Sequence, residues 1–329
     1  MEIVKAEVLW TRKCSMGCSY CGMATGKRNA LNLYQWMRGI ENLKALGCEF
    51  IAFYGAEPFE DFDLLPAVVG YAEGSGIHTT VITSGIDPKT KEKMAALHRH
   101  GAKSITMSCD PLPVDISTDY KSKRALYFIK EWKKYTHIRD AALVSTLTKN
   151  NYEKFFTDHV PSMHDEGIWC LFDIIHPDHG QPGSKCKNYP KIGSLLFDEY
   201  HAKRMIEFAY YAKAHYIKFL HTSEHFISQC NEDPRILTHY TWHCAKSDCF
   251  PSWITIDCDG TVHGCDDYQS SRYGNLFIYD ENFLEKFDPF FRDVKKAALN
   301  ECPGCAWNTH IDAHAIKQGY IPVKNYVHT

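Results

Sequence analysis

The sequence predicts an α/β protein: a parallel sheet or barrel of β-α units, followed by a small cysteine-rich α+β domain. Two observations carry that prediction. Strand-like and helix-like stretches alternate over the first two-thirds of the 329 residues. After Ile175 the rhythm breaks, and from about Asn231 the composition shifts towards cysteine, aspartate and aromatic residues.

The elements follow in order. Glu7-Val8-Leu9-Trp10 reads as strand one, and Tyr34 to Leu46 has helical apolar spacing that stops near Gly47. Phe50 to Tyr54 is a nearly continuous apolar run, the pattern of a buried parallel strand. Asp63 to Ala72 reads as helix two and Thr79 to Ile82 as strand three. Lys89 to His100 is helix three, preceded by Pro88 and stopped by Gly101. Ser104 to Met107, Ala141 to Leu147 and Trp169 to Ile175 are strands four to six; Tyr120 to Tyr135 and Tyr152 to Asp165 are the helices between them. Residues 176–183 form a turn-rich loop, and Phe197 to His215 reads as a long helix. A boundary between Ile217 and His239 divides the chain into a core over 1–222 and a second domain over 223–329.

Composition narrows the function class. Hydrophobic residues make up 44% of the chain, enough for a sizeable core, and the net charge is −3. Lys121-Ser122-Lys123-Arg124 reads as solvated helix surface, and no long basic tract suggests a nucleic-acid or membrane surface. No apolar run is long enough to span a bilayer. The N-terminus alternates like a strand and lacks the regions of a signal peptide, so a cytoplasmic location is expected. Fourteen cysteines in a reducing compartment argue for metal or redox use over disulfides.

The chemistry begins at Cys14, Cys18 and Cys21, a C-x3-C-x2-C run. Three thiolates this close can hold three irons of a cubane cluster and leave the fourth iron open. A structural zinc site usually needs two C-x2-C pairs or nearby histidines, whereas this is an odd triplet. Three further motifs fall at strand ends: Gly55-Ala56-Glu57-Pro58, Thr83-Ser84-Gly85 and Ser108-Cys109-Asp110. In β/α barrels that is where working residues collect. Asn150 follows strand five in the same manner. Each is also an ordinary turn or cap residue type.

The cysteine run, with Tyr20 before its last member, resembles the signature of the radical S-adenosylmethionine (SAM) superfamily. The resemblance implies a partial (β/α)6 barrel and a [4Fe–4S] cluster whose open iron chelates SAM. It implies reductive cleavage of SAM to methionine and a 5′-deoxyadenosyl radical that abstracts hydrogen from a substrate. Gly55-Ala56-Glu57-Pro58 is similar to the family's Gly-Gly-Glu-Pro, where the acidic side chain or nearby backbone meets the SAM amino group; Ala56 departs from it by one methyl. Ser84, Ser108, Asp110 and Asn150 are implied contacts of SAM or its ribose, and Tyr20 packs beside the cluster or adenine.

A second cysteine group lies near the C-terminus. Cys249 is followed by ten residues, Gly260, four residues and Cys265. Ile254 to Cys265 reads as a hairpin around Asp259-Gly260, and Cys302-Pro303-Gly304-Cys305 is a tight C-x2-C knuckle. The arrangement resembles the twitch and SPASM extensions of radical SAM enzymes. It implies one auxiliary [4Fe–4S] cluster on Cys249, Cys265, Cys302 and Cys305, with Cys244 able to replace Cys249. The same spacing can build a zinc ribbon.

The expected function is therefore a SAM-dependent radical reaction with two [4Fe–4S] clusters. Its first form is oxidation of a small molecule, the auxiliary cluster taking the second electron. Its alternative is crosslinking or epimerisation of a ribosomally made peptide, for which Cys109 and Cys170 are candidate hydrogen donors. A non-enzymatic zinc or redox-sensing protein is the remaining class. Asp173, His176, Asp178 and His179 are candidate substrate contacts at the barrel mouth. A flavodoxin or ferredoxin is the reducing partner the resemblance implies.

Overall fold

The computed structural model describes residues 2–16, 18, 20–111, 116–136, 141–176, 192–216, 220, 222–264, 275–302, 304–306 and 308–321. Among them, eight strands form one sheet in the order β6-β5-β4-β3-β2-β1-β7-β8. They are β1 (Lys5–Thr11), β2 (Phe50–Gly55), β3 (His78–Thr83), β4 (Ser104–Ser108), β5 (Ala141–Leu147), β6 (Trp169–Ile174), β7 (Trp253–Ile256) and β8 (Val262–His263). Strands β1 to β6 pair in parallel, each with its sequence neighbour, which gives the α/β partial barrel expected from the alternation. The crossovers carry α1 (Leu33–Ala45), α2 (Leu65–Gly74), α3 (Thr90–Arg99) and α4 (Ile116–Thr136). Helix α1 starts where the sequence can cap it: Asn32 accepts from the Gln35 N–H at 3.0 Å, and Gln35 returns the bond to the Asn32 N–H at 3.0 Å.

The fifth crossover differs from the single helix expected over Tyr152 to Asp165. It runs as α5 (Tyr152–Lys154), a π-helical turn (Phe155–His159) and α6 (Val160–Glu166). Pro161 has no N–H to return to Thr157, so the ladder widens just ahead of it. The remaining helices are α7 (Glu199–Tyr216), α8 (Glu224–Glu232), α9 (Arg235–His239), α10 (Phe283–Glu301) and α11 (Asn308–Lys317).

The expected C-terminal hairpin is present as β7 and β8, which pair antiparallel around Gly260 at φ +83°. It also does something the sequence did not indicate. Strand β7 pairs in parallel with β1, Lys5 opposite Trp253 and Val8 opposite Ile256. The sheet thus runs through both segments of the chain.

The two faces of the sheet are chemically different. Ala6, Val8, Phe53, Val81, Leu143 and Phe172 point to the helices and join one core. The register puts Lys5, Glu7, Thr80, Thr106, Thr146 and Asp173 on the opposite, inner face. That face is buried at mid-strand. It opens towards the C-terminal ends, where Tyr54, Ile82, Ser108, Val144, Thr146 and Asp173 are half-buried while their outward neighbours are buried.

Candidate active site

The loop after β1 is closed at its base by main-chain bonds. The Arg12 N–H reaches the Lys27 carbonyl at 2.8 Å, and the Thr25 and Gly26 N–H groups both reach the Arg12 carbonyl at 2.9 Å. Inside the loop the Cys21 N–H donates to the Cys18 carbonyl at 3.1 Å, and the Met16 N–H points at Cys14 Sγ at 3.3 Å. Cys14 and Cys18 are half-buried and Cys21 is exposed. Burial pushes the Cys14 thiol up to about 12, and the charges of Glu57, Glu60 and Cys21 add to the effect.

The strand-two motif is locked to this loop. Gly55 sits at φ +126°, and a Cβ there would lie 2.4 Å from the Thr11 carbonyl oxygen, so only glycine fits. The Ala56 N–H donates to that carbonyl at 2.9 Å, and the Glu57 N–H donates to the Lys13 carbonyl at 3.0 Å. The Glu57 carboxylate is fully buried. Its Oε1 accepts from the Thr83 hydroxyl at 2.5 Å and the Phe59 N–H at 3.0 Å; its Oε2 accepts from the Ser84 N–H at 2.9 Å and from the Ser84 hydroxyl. Those four bonds fill a carboxylate's usual acceptor directions. Glu57 and Ser84 therefore tie β2 to β3, and burial holds the Glu57 carboxyl above its ordinary range despite them.

A second group joins the cysteine loop to β4 and α4. The Tyr20 hydroxyl donates to Asp110 Oδ2 at 2.6 Å. Lys121 Nζ donates to the same oxygen at 2.8 Å, to the Tyr20 hydroxyl at 2.8 Å and to Ser108 Oγ at 3.2 Å. It also lies 5.5 Å from the Tyr20 ring centre. Burial alone would push the Lys121 ammonium down, but Tyr20 and Asp110 outweigh it and hold the group charged. Asp110 is further fixed by the Thr146 N–H at 3.2 Å. Lys121 is only 4% exposed, so its assignment to solvated helix surface is corrected. Its place was legible in the periodicity: Lys121, Ala125, Phe128, Ile129 and Trp132 share one helical stripe and are all buried.

Among the expected SAM contacts, Tyr20, Ser108 and Asp110 thus converge, and Gly55, Ala56, Glu57 and Ser84 form the adjacent group. Asn150 is exposed, its N–H on Thr148 Oγ1 at 3.2 Å. Its buried neighbour Asn151 closes the turn, accepting from the Thr148 N–H at 2.8 Å and donating to the Thr146 carbonyl at 3.0 Å. Cys109 and Cys170 lie in the hydrophobic core on the helix-facing side of the sheet. That side is opposite the inner face, which does not suit either thiol as a hydrogen donor.

In the C-terminal group, Gly304 at φ +103° packs where a Cβ would meet the Tyr240 carbonyl oxygen at 2.3 Å. The Cys305 N–H donates to the Trp242 carbonyl at 2.8 Å, and His243 Nε2 lies 3.0 Å from the Cys302 carbonyl. Burial pushes the Cys244 thiol up to about 12, with Cys302 near enough to add to it. Cys249 is instead fixed by its N–H on Ser247 Oγ at 2.9 Å, and its charge acts on Lys317. Cys265, Asp178 and His179 lie outside the described residues. The knuckle docks on the barrel: the Ala306 N–H donates to His176 Nε2 at 3.1 Å, and the Tyr240 hydroxyl donates to the Ile175 carbonyl at 3.1 Å.

The fold sets a thiol-rich loop at the C-terminal end of β1, beside the strand-end motifs of β2, β3 and β4. Residues 8–143 match the family described as the Radical SAM superfamily. The chain is similar to an S-adenosylmethionine-dependent nucleotide dehydratase of Selenomonas ruminantium, 39% identical over 83 residues. That match covers 24% of this chain and only 30% of the relative. The fold is similar to Streptococcus suis SuiB bound to precursor peptide SuiA, with a TM-score of 0.65 and 16% identity over 89% of this chain and 67% of that one. It is also similar to native anSMEcpe with bound AdoMet, with a TM-score of 0.58 and 13% identity over 98% of this chain and 99% of that one.

The family match implies SAM and one [4Fe–4S] cluster as cofactors. The donor set fits the cluster: three thiols, of which Cys14 and Cys21 lie within electrostatic reach of each other, in a loop pinned at both ends. Among the described residues, no three His, Cys, Asp or Glu side chains are already closed into a metal-binding group, so the loop's fit rests on donor type and position. No described helix is long and apolar enough to cross a membrane.

Proposed function

We propose that this chain cleaves SAM reductively at the Cys14, Cys18 and Cys21 loop and abstracts hydrogen from a small polar molecule in a net oxidation. When bound, the cluster and SAM supply the electron and the 5′-deoxyadenosyl radical; the chain's residues do the rest. The backbone of Gly55 to Glu57 and the Tyr20, Asp110 and Lys121 group hold SAM at the strand ends. Lys121 brings the one buried ammonium of that group, suited to a carboxylate. The helix-packed sheet excludes water from one side, and the inner face receives the substrate.

The observation that carries this reading is the inner face itself. It carries Lys5, Glu7, Thr80, Thr106, Thr146 and Asp173 among apolar neighbours, and it is more exposed at the C-terminal strand ends. A small molecule is also what the relative of Selenomonas ruminantium is named for. The docking of Ala306 on His176 supports an auxiliary cluster beside the same opening, on Cys265, Cys302, Cys305 and either Cys244 or Cys249. Such a cluster suits an acceptor for the second electron. The nearness of Cys244 to Cys302 favours Cys244 as its first ligand.

Peptide modification is the second reading, favoured by the likeness to SuiB bound to its precursor peptide. Iron and acid-labile sulfide per chain after anaerobic reconstitution test the cofactor count. Two clusters require roughly eight irons, falling to about four when Cys14, Cys18 and Cys21 become alanine. Little iron with stoichiometric zinc would overturn both cysteine assignments.

A further inference from the structure

Asp173 lies on the inner face of β6, opposite Thr146 of β5 in register. Its Oδ1 is buried and meets no hydrogen-bond partner among the described residues. A buried carboxylate oxygen without a donor is costly, and an apolar residue on this strand would be more stable. The cation whose field reaches it is Lys5. Lys5 is already held by Glu7 at 2.6 Å on the same face, so among the described residues this one cation is shared by two carboxylates. Among the described residues, no donor accounts for the burial of that oxygen. Asp173 faces the chamber, half-buried, at the end where the inner wall opens.

Its position relative to the radical site is also defined. Thr146, its register partner, donates its N–H to Asp110 at 3.2 Å, and Asp110 is bonded to Tyr20 and Lys121. One strand therefore separates Asp173 from the group that meets the cysteine loop.

We infer that Asp173 anchors the substrate through a cationic nitrogen, a protonated amine or a guanidinium. The inference rests on the inner face being the substrate chamber of a radical SAM reaction. A cation both donates to the orphaned oxygen and neutralises the charge, which a neutral hydroxyl does only in part. A phosphate-bearing nucleotide would instead meet like charge at this wall. The cation can belong to a free small-molecule amine or to a lysine or arginine side chain of a peptide.

The test is calorimetric titration of the anaerobically reconstituted, SAM-loaded protein with two size-matched pairs. One is D-glucosamine against D-glucose; the other is a lysine-centred tripeptide with blocked ends against its norleucine counterpart. The cationic member of at least one pair is expected to bind about tenfold more tightly, a difference of about 1.4 kcal/mol. Asp173→Asn and Asp173→Leu are expected to abolish the preference, the second without leaving any buried polar group to satisfy. Preference confined to the sugar pair assigns the cation to a free amine, and preference confined to the peptide pair assigns it to a side chain. No preference in either pair, or a preference that survives both variants, overturns the inference. Iron content and reductive SAM cleavage are read on the same samples. Their loss is a failure of the radical SAM reading, whereas intact cleavage without amine preference overturns the anchor alone.

Discussion

Arg12 and Asp257 form a buried two-pronged ion pair, Nε to Oδ1 at 2.9 Å and the second nitrogen to Oδ2 at 2.5 Å. Arg12 closes the base of the cysteine loop through its main chain, and Asp257, the residue after β7, accepts from the N–H of Cys258 at 2.8 Å. One contact thus fixes the N-terminal cysteine loop to the C-terminal hairpin. Arg12→Met should cost ~3–5 kcal/mol in chemical denaturation, because it strands a buried carboxylate. The paired change Arg12→Met with Asp257→Leu should recover much of that stability. A cost below about 1 kcal/mol for the single change would show that the pair does not hold the loop.

Lys121 is the cation shared by Tyr20, Ser108 and Asp110. Lys121→Met should lower stability by ~3–5 kcal/mol for the same reason, and Asp110→Asn in the same chain should restore part of it. SAM affinity, measured by equilibrium binding to the reconstituted protein, should fall about tenfold or more in both and not recover in the pair. Recovered SAM binding in the double variant would make the group a purely structural one.

In the auxiliary cluster proposed above, Cys244 and Cys249 are alternatives for one ligand position. Since Cys244 neighbours Cys302 and Cys249 faces Lys317, Cys244→Ser should remove roughly four irons per chain and Cys249→Ser should leave them. Iron analysis of the two variants reads this directly, and the reverse pattern assigns the ligand to Cys249.

Burial raises the Asp173 carboxyl to about 6, from an ordinary value of 3.8, so the folded protein takes up its proton more readily than the unfolded chain. The stability this contributes is complete below pH 3.8 and is lost as pH rises through 6. Asp173→Asn should therefore raise the Tm at pH 7 to 8, by the equivalent of about 1–2 kcal/mol, and the gain should shrink between pH 6 and 4. A wild-type protein that is the more stable at pH 8 would mean that Asp173 has a partner within the fold.

The strands were legible because buried parallel strands read as short apolar runs, and β5 falls on the same residues, Ala141–Leu147, as its run. The position of the cysteine loop and of the strand-end motifs was legible because each directly follows a short apolar run. Lys121 was missed because a basic run suggests solvent, although its stripe with Ala125 and Ile129 marked it as inward. The Arg12 and Asp257 pair had no local signal, being 245 residues apart. The pairing of β7 with β1 was hidden for the same reason, since a sheet joins segments that composition separates. The roles of Glu57 and Asn151 depend on which donors surround them, which no spacing encodes.

The most direct test of the central claim is 5′-deoxyadenosine production from SAM by the anaerobically reconstituted protein under strong reductant. The account predicts its formation by the wild type, and none from the variant with Cys14, Cys18 and Cys21 changed to alanine. A wild-type protein that carries its full iron and sulfide yet forms no 5′-deoxyadenosine would contradict it.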